Sequence, residues 1–219
     1  MPVATPLLKI CGLREPAQAA AVAALGADAI GVIAVPDSPR YVPPPQRPAL
    51  FAAMAAGRPT CFGVLVVADP GDDRLEELAA GRGHAVVQLH GEESVERCSA
   101  LGRTLGVRLW KALRVRTPGD LERAASYAGV VEALLLDAWQ PGLLGGTGHR
   151  IPIDWLEGFR PPVPWWLAGG VSPATAAELL ARLRPDGLDA SSALEVRPGV
   201  KDLARVAELV AAVRGSGRD

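Results

Sequence analysis

Short apolar runs alternate along the chain with longer segments in which alanine, leucine and charged residues are mixed. Runs that are apolar at nearly every position predict strands buried on both faces, as in a parallel sheet, and the mixed segments predict covering helices. The predicted strands are residues 7–11, 29–35, 61–67, 85–90, 107–113, 131–137, 163–168 and 187–191.

Each predicted strand is followed by a segment that carries helix-boundary residues. In the first of these, Pro16 stands in the opening turn and Gly26 ends the helix. The second is less clear, because several prolines obscure its start. The predicted helical segments are residues 16–27, 45–56, 72–83, 93–105, 118–128, 152–159, 172–183 and 201–214.

Eight strand–helix units in strict alternation favour closure into a (β/α)8 TIM barrel of the α/β class. No linker, low-complexity tract or charge block divides the chain, so residues 1–219 are predicted to form a single barrel domain. An open, doubly wound sheet is the structural alternative, because it has the same order of elements and needs no closure.

Composition restricts the class of protein. A hydrophobic fraction of 49% supports a large buried core, and a net charge of −1 gives no electrostatic footprint for nucleic acid or an anionic membrane. No apolar stretch is long enough to span a bilayer, and the first residues lack the pattern of a signal peptide. Any phosphate must therefore be bound locally, by a particular site.

The three cysteines, Cys11, Cys61 and Cys98, are far apart and form no CxxC pair. This spacing gives little support to a zinc site or a disulfide framework. We therefore expect no metal and a reduced, cytoplasmic protein.

In a barrel of this kind the active site lies at the carboxyl ends of the strands, and the loops after strands 7 and 8 commonly bind phosphate. Gly169 and Gly170 follow predicted strand 7, and Ser191 and Ser192 follow strand 8. Glycine lets backbone N–H groups approach an anion closely, and N–H groups exposed at a helix start favour negative charge. Either pair alone could be ordinary turn or cap residues; together they favour a small, phosphorylated substrate.

Several motifs at the predicted strand ends occur in the order of a known family. They are LKICGLRE, SPRYV, VQLHGEE, LLLD with GGTGH and IDW, LAGGVSP, and DASSALE with PGVKD. Together they closely resemble phosphoribosylanthranilate isomerase of tryptophan biosynthesis, from residue 8 to about residue 213.

This resemblance implies a (β/α)8 barrel without cofactor or metal. It implies the Amadori rearrangement of N-(5-phosphoribosyl)anthranilate to 1-(2-carboxyphenylamino)-1-deoxyribulose 5-phosphate. It also implies that Cys11 is a general base and Asp137 a general acid.

The chemistry fits these residue types. Opening the furanose ring needs a proton donor, and a carboxylic acid such as Asp137 can donate if burial raises its pKa. A thiolate can then take the C2′ proton, and we expect the helix start after Cys11 to stabilise that anion. Taken singly, a strand-end cysteine is more often a small hydrophobe and an aspartate often a cap.

Four further residues are candidate substrate contacts. Arg40, on a loop stiffened by proline, could bind the anthranilate carboxylate through its guanidinium fork. His90 is either a substrate contact or a satisfied core histidine. Gly145 and Gly146 belong to a glycine-rich loop that either closes over the substrate or merely connects two elements.

Lys9 lies two residues before Cys11, so both side chains point to the same side of the strand. A lysine inside a barrel needs an anionic partner, and the topology nominates Asp189 on predicted strand 8. The pair would either tune a catalytic pKa or simply balance charge in the core.

Two departures from the family pattern concern affinity more than reaction type. Ala193 replaces a glycine beside the proposed phosphate site, and GVIAVPDS lacks the aromatic residues usual after strand 2.

The rival functions are another phosphosugar isomerase or lyase, and a barrel that binds a phosphorylated ligand without catalysis. Cys11 argues against a barrel that uses two aspartates. The oligomer expected is a monomer or a homodimer.

Overall fold

A closed barrel of eight parallel strands forms the centre of the computed structural model, which describes residues 5–138 and 150–215. Every strand pairs with the next along the chain, and the last pairs with the first. The strands are β1 Leu7–Cys11, β2 Ala29–Ile33, β3 Phe62–Val67, β4 Val86–Leu89, β5 Arg108–Val115, β6 Ala133–Ala138, β7 Trp165–Leu167 and β8 Gly187–Ala190. The predicted (β/α)8 barrel is confirmed, and the open sheet is wrong. That the whole of residues 1–219 forms one domain stays a prediction.

The helices that cover the barrel follow the predicted order. Their apolar faces and the outward-facing strand residues form one large buried cluster. The helices are α1 Pro16–Ala24, α2 Arg47–Gly57, α3 Leu75–Leu78, α4 Val95–Leu105, α5 Ile153–Leu156, α6 Pro173–Arg182 and α7 Leu203–Gly215. No helix in the described ranges has the length and apolar character that crossing a bilayer requires.

A second buried cluster fills the inside of the barrel. Trp110 and Trp166 are packed there with their ring centroids 4.6 Å apart, among small and aliphatic side chains from the other strands. Cys11, which ends β1, and Ala168, which follows β7, are members of this cluster that lie near the carboxyl end. Because the interior is filled with side chains, the barrel is not a pore, and in this fold ligands bind at the carboxyl end.

Two predicted helices are wrong in type or length. Residues 118–128 form a 3₁₀ helix, Pro118–Tyr127, whose buried residues Leu121, Ala124 and Tyr127 recur every third position, the period of that helix. Residues 72–83 form only a 3₁₀ turn followed by the single turn of α3, because the backbone is extended at Ala79 and has a positive φ at Gly81.

The connection between β8 and α7 contains elements that the apolar pattern did not predict. A 3₁₀ turn, Ser192–Leu194, leads into a small antiparallel hairpin of β9 Glu195–Arg197 and β10 Val200–Lys201. Gly199, at φ +81°, closes the hairpin. The hairpin brings two buried charged residues, Glu195 and Lys201, next to the mouth of the barrel.

Candidate active site

A cavity opens at the carboxyl ends of the strands and brings together nearly all the residues that the sequence nominated. The nominated residues that line it are Cys11, Arg40, His90, Asp137, Gly169, Gly170, Ser191 and Ser192. Gly145 and Gly146 lie outside the described residues. Gln88 and Asp189 also line the cavity, although neither was nominated as a substrate contact.

The thiol of Cys11 lies at the end of β1, against the backbone of β2. A Cβ atom at Gly31 would lie 2.6 Å from Cys11 Sγ, so the glycine provides the space that the sulfur occupies. Burial raises the pKa of Cys11, and this effect outweighs the nearby cations of Lys9 and Lys201, which lower it. Helix α1 begins at Pro16, as predicted, and stabilisation of the thiolate by this helix start stays a prediction.

Lys9 and Asp189 form a buried ion pair beneath the cavity. Lys9 Nζ lies 3.0 Å from both carboxylate oxygens of Asp189, and the two residues are register partners on the adjacent strands β1 and β8. Burial alone would lower the pKa of Lys9, but the negative charges of Asp189 and Cys11 outweigh it and raise this pKa. The partner nominated from topology is therefore confirmed.

A chain of hydrogen bonds leads from β4 to Asp137 on β6. Gln88 Nε2 lies 2.9 Å from His90 Nδ1, and His90 Nε2 lies 3.3 Å from Asp137 Oδ2. Because an amide nitrogen can only donate, His90 Nδ1 accepts and His90 Nε2 carries the proton that it donates to Asp137. His90 thus both lines the cavity and orients the candidate acid. Gln88 Oε1 is buried without a hydrogen-bond partner in the described part of the chain.

Arg40 is fixed by a cluster of buried charges. Its Nε and Nη2 donate to the two carboxylate oxygens of Glu195, at 2.8 and 2.7 Å, and Lys201 Nζ donates to Glu195 Oε1 at 2.8 Å. Burial opposes ionisation of Glu195, but the bonds from Arg40 and Lys201 outweigh it and lower the pKa of Glu195 to about 2. We nominated neither Glu195 nor Lys201, although both lie within the DASSALE and PGVKD motifs.

The loops after β7 and β8 form a candidate anion cradle. Gly169 and Gly170 have φ of +82° and +68°, a conformation that favours glycine. The backbone N–H groups of these glycines and of Ser192 and Ala193 have no hydrogen-bond acceptor among the described residues. Ala193 itself has a negative φ, since Asp69 is the only described non-glycine residue with a positive one. The alanine at this departure from the family pattern therefore causes no backbone strain.

The cavity wall beside Arg40 is aliphatic. Ile33 and Val35, at the end of β2 and after it, line the cavity together with Val66 of β3. These side chains stand where the family pattern has aromatic residues, and they offer an apolar surface to a planar ring.

Cys61 and Cys98 lie in the outer core, away from the cavity, and burial raises their pKa to about 12 and about 11. The described residues contain no group of three or more His, Cys, Asp or Glu side chains placed to bind a metal ion.

The fold and the cavity are those of a (β/α)8 barrel with a thiol, a carboxyl group and a candidate anion cradle at one mouth. The family model of N-(5'-phosphoribosyl)anthranilate isomerase matches residues 8–212, and the chain belongs to this family.

Individual relatives agree with this assignment. The chain is 45% identical, over 92% of its length and 93% of the relative's, to N-(5'-phosphoribosyl)anthranilate isomerase of Synechocystis. The crystal structure of the Thermotoga maritima isomerase superposes with a TM-score of 0.85 at 27% identity, covering 96% of this chain and 99% of that one. A phosphoribosylanthranilate isomerase in complex with reduced 1-(o-carboxyphenylamino)-1-deoxyribulose 5-phosphate superposes at 0.79, with 28% identity and coverage of 96% and 99%.

Proposed function

We propose that this chain isomerises N-(5-phosphoribosyl)anthranilate to 1-(2-carboxyphenylamino)-1-deoxyribulose 5-phosphate, a step of tryptophan biosynthesis. One observation carries the proposal beyond family membership. A thiol from β1 and a carboxyl group from β6 line the same cavity as the loops after β7 and β8, whose N–H groups at Gly169, Gly170 and Ser192 have no acceptor among the described residues. An acid, a base and a phosphate cradle are the groups that the rearrangement needs.

Asp137 is the proposed acid for ring opening. Its proton goes to the furanose oxygen as the C1′–O bond breaks, and the anthranilate nitrogen supplies the electron pair for a C1′=N bond. His90 donates to Asp137 Oδ2, which leaves Oδ1 to carry the transferred proton. General acid catalysis of this kind contributes roughly 100- to 10,000-fold.

Cys11 is the proposed base for the second step. Its thiolate takes the C2′ proton, the C–H electrons form a C1′=C2′ bond, and the electrons of the C1′=N bond return to nitrogen. The enolamine then gains a proton at C1′ and loses one from the 2′-hydroxyl, giving the ketose. Since burial raises the pKa of Cys11, the cationic iminium of the opened substrate assists in forming the thiolate, and the thiol proton passes to the Asp137 carboxylate that ring opening leaves in the same cavity.

We assign each remaining part of the substrate to a wall of the cavity. The phosphate binds at Gly169, Gly170, Ser191 and Ser192, where N–H groups have no protein acceptor among the described residues. The aromatic ring packs on Ile33 and its neighbours, and the anthranilate carboxylate binds Arg40. A closing role for Gly145 and Gly146 stays a prediction.

The test is to incubate purified protein with freshly made phosphoribosylanthranilate and follow its fluorescence without added cofactor. We expect a continuous loss of fluorescence with many turnovers and the ketose as product. A fluorescence change that stops at one equivalent of protein, with no product, would indicate binding without catalysis. No change would reject the substrate.

The proposal also covers the cellular location and the oligomeric state of the protein. All three cysteines are buried and unpaired, which supports a reducing, cytoplasmic location. A structural neighbour at 26% identity is a generated monomer of the dimeric isomerase from Thermotoga maritima, and we propose a monomer or a homodimer for this chain. Light scattering across a protein concentration series decides between the two.

A further inference from the structure

Arg40, Glu195 and Lys201 form a charge cluster at the mouth of the barrel that is not neutral. The side chains of all three are at most 10% exposed, and they carry two positive charges and one negative charge. We propose that this excess positive charge is the recognition element for the carboxylate of the substrate, and that Lys201 is the specificity-determining residue that creates it. The inference rests on the proposed function, since it explains how that site selects its substrate.

The geometry of Arg40 leaves one edge of its guanidinium available. Glu195 occupies the Nε and Nη2 edge through two hydrogen bonds. Nη1 has no acceptor in the described part of the chain, and Arg40 lines the cavity. A planar guanidinium has a second edge, formed by Nη1 and Nη2, which can bind another carboxylate with two hydrogen bonds.

Fixing Arg40 with a carboxylate has an electrostatic consequence. Glu195 cancels the charge of Arg40, so the pair alone would offer no net attraction to a second carboxylate. Lys201 Nζ, 2.8 Å from Glu195 Oε1, restores the positive charge. A bound substrate carboxylate adds a second negative charge, so the net charge of Arg40, Lys201, Glu195 and the carboxylate would be zero.

The backbone of Lys201 is fixed as firmly as its side chain. Gln18 of α1 donates from Nε2 to the carbonyl oxygen of Lys201 and accepts from its N–H, both at 3.0 Å. The ammonium also donates to the carbonyl oxygen of Ser191 at 3.2 Å. That last contact defines the competing interpretation, in which Lys201 merely supports the loop that binds phosphate.

The experiment compares three substrates that differ only in their carboxylate. They are the phosphoribosyl adducts of anthranilate, of 4-aminobenzoate and of aniline, each followed by chromatography of the product. The measured quantity is the discrimination ratio, which is kcat/KM for the anthranilate adduct divided by that for the aniline adduct. The 4-aminobenzoate adduct keeps the charge but moves it away from Arg40, so it should behave like the aniline adduct.

Lys201→Met is expected to lower the discrimination ratio at least ~tenfold, the effect of one charge at roughly 7 Å in a medium of effective dielectric about 20. The double variant Lys201→Met/Glu195→Gln regains the net positive charge, because Arg40 then faces a neutral amide. We expect it to recover most of the lost ratio. A merely structural role of Lys201 predicts no such recovery.

Lys111→Met is the matched control. Lys111 is also a buried lysine that donates to a glutamate, Glu93, and to a backbone carbonyl oxygen, at Gly91. It lies outside the cavity lining. This variant loses a comparable buried pair, and its discrimination ratio should equal that of the unmodified protein.

Three results would overturn the inference. The first is that Lys201→Met lowers kcat/KM equally for both adducts, as support of the phosphate loop predicts. The second is that the double variant fails to regain the ratio. If Lys201→Met does not fold, Glu195→Gln alone replaces it. A discrimination ratio at or above that of the unmodified protein then supports the inference. The third overturning result is a discrimination ratio of Glu195→Gln that falls to the level of Arg40→Ala. An unmodified protein that turns over none of the adducts would instead reject the proposed function.

Discussion

The ion pair beneath the cavity allows a quantitative test of what holds the floor of the site together. Lys9 is fully buried and Asp189 is 8% exposed, and both carboxylate oxygens lie 3.0 Å from the ammonium. Lys9→Met replaces the lysine with an apolar side chain of similar length, so the change creates little cavity. It leaves the carboxyl group of Asp189 without its partner, which costs about 3–5 kcal/mol of the free energy of unfolding.

The double variant Lys9→Met/Asp189→Leu separates the loss of the partner from the loss of the pair. Replacing a whole buried pair by apolar residues is often neutral, because neither charge then has to be desolvated. We therefore expect the double variant to be within about 1.5 kcal/mol of the unmodified protein. Urea unfolding followed by circular dichroism measures both. Arg182→Gln, which removes two exposed ion pairs, is the control and should leave the urea unfolding midpoint nearly unchanged.

The loss of unfolding free energy caused by Lys9→Met should also depend on pH. In Lys9→Met the unpaired Asp189 carboxyl group has a pKa above its unfolded value, and burial already raises this pKa in the unmodified protein. A group with a raised folded pKa stabilises the protein at low pH and loses this contribution as pH rises through that pKa. The deficit of Lys9→Met is therefore largest at neutral and alkaline pH and shrinks toward about pH 5. A single variant as stable as the unmodified protein, or a double variant as unstable as the single one, would refute the reasoning.

Three further predictions concern the reaction. Cys11→Ala and Asp137→Asn should each lower kcat at least ~100-fold while leaving substrate affinity within about tenfold. Steady-state kinetics measure kcat, and product inhibition measures affinity. Normal turnover in both variants would reject Cys11 as the base and Asp137 as the acid. Arg40→Ala should mainly raise KM for the anthranilate adduct, and an unchanged KM would exclude Arg40 from the site. Since burial raises the pKa of Cys11 above its ordinary value of 9.0, the ultraviolet absorbance of its thiolate, taken as the difference between the unmodified protein and Cys11→Ala, should still be rising above pH 9. A difference absorbance that is already complete at pH 9 would contradict the shifted thiol.

The parts of the site that depend on strand ends could be predicted from the sequence. In a parallel barrel each strand presents its last inward-facing residue at the same mouth, so the end of an apolar run identifies a site position. This reasoning placed Cys11 and Asp137 correctly at one cavity. It also paired Lys9 with Asp189, because the first and last strands of a closed barrel are neighbours.

The parts that depend on loop conformation could not be predicted in this way. Glu195 and Lys201 lie on a hairpin of two very short strands, too short to show a hydrophobic period. The turn residues Pro198 and Gly199 are the signal in the sequence for this hairpin. An apolar spacing of three also occurs on an α-helical face, so the sequence does not distinguish the 3₁₀ helix Pro118–Tyr127 from an α-helix.

The pKa of Cys11 shows a third kind of limit, because burial depends on what the whole fold places around a group. The sequence suggested a helix start that would favour the thiolate, whereas the folded protein buries the sulfur and favours the neutral thiol. This difference has a consequence for the order of the proposed steps. Ring opening by Asp137 creates the iminium cation, whose positive charge adds to those of Lys9 and Lys201 and further offsets the burial of the thiolate. A neutral thiol before that point also makes the sulfur less reactive toward other electrophiles, since the thiolate is the reactive form. The acid step therefore prepares the base for the second step, and the buried position of Cys11 is consistent with a base that acts only on the opened substrate.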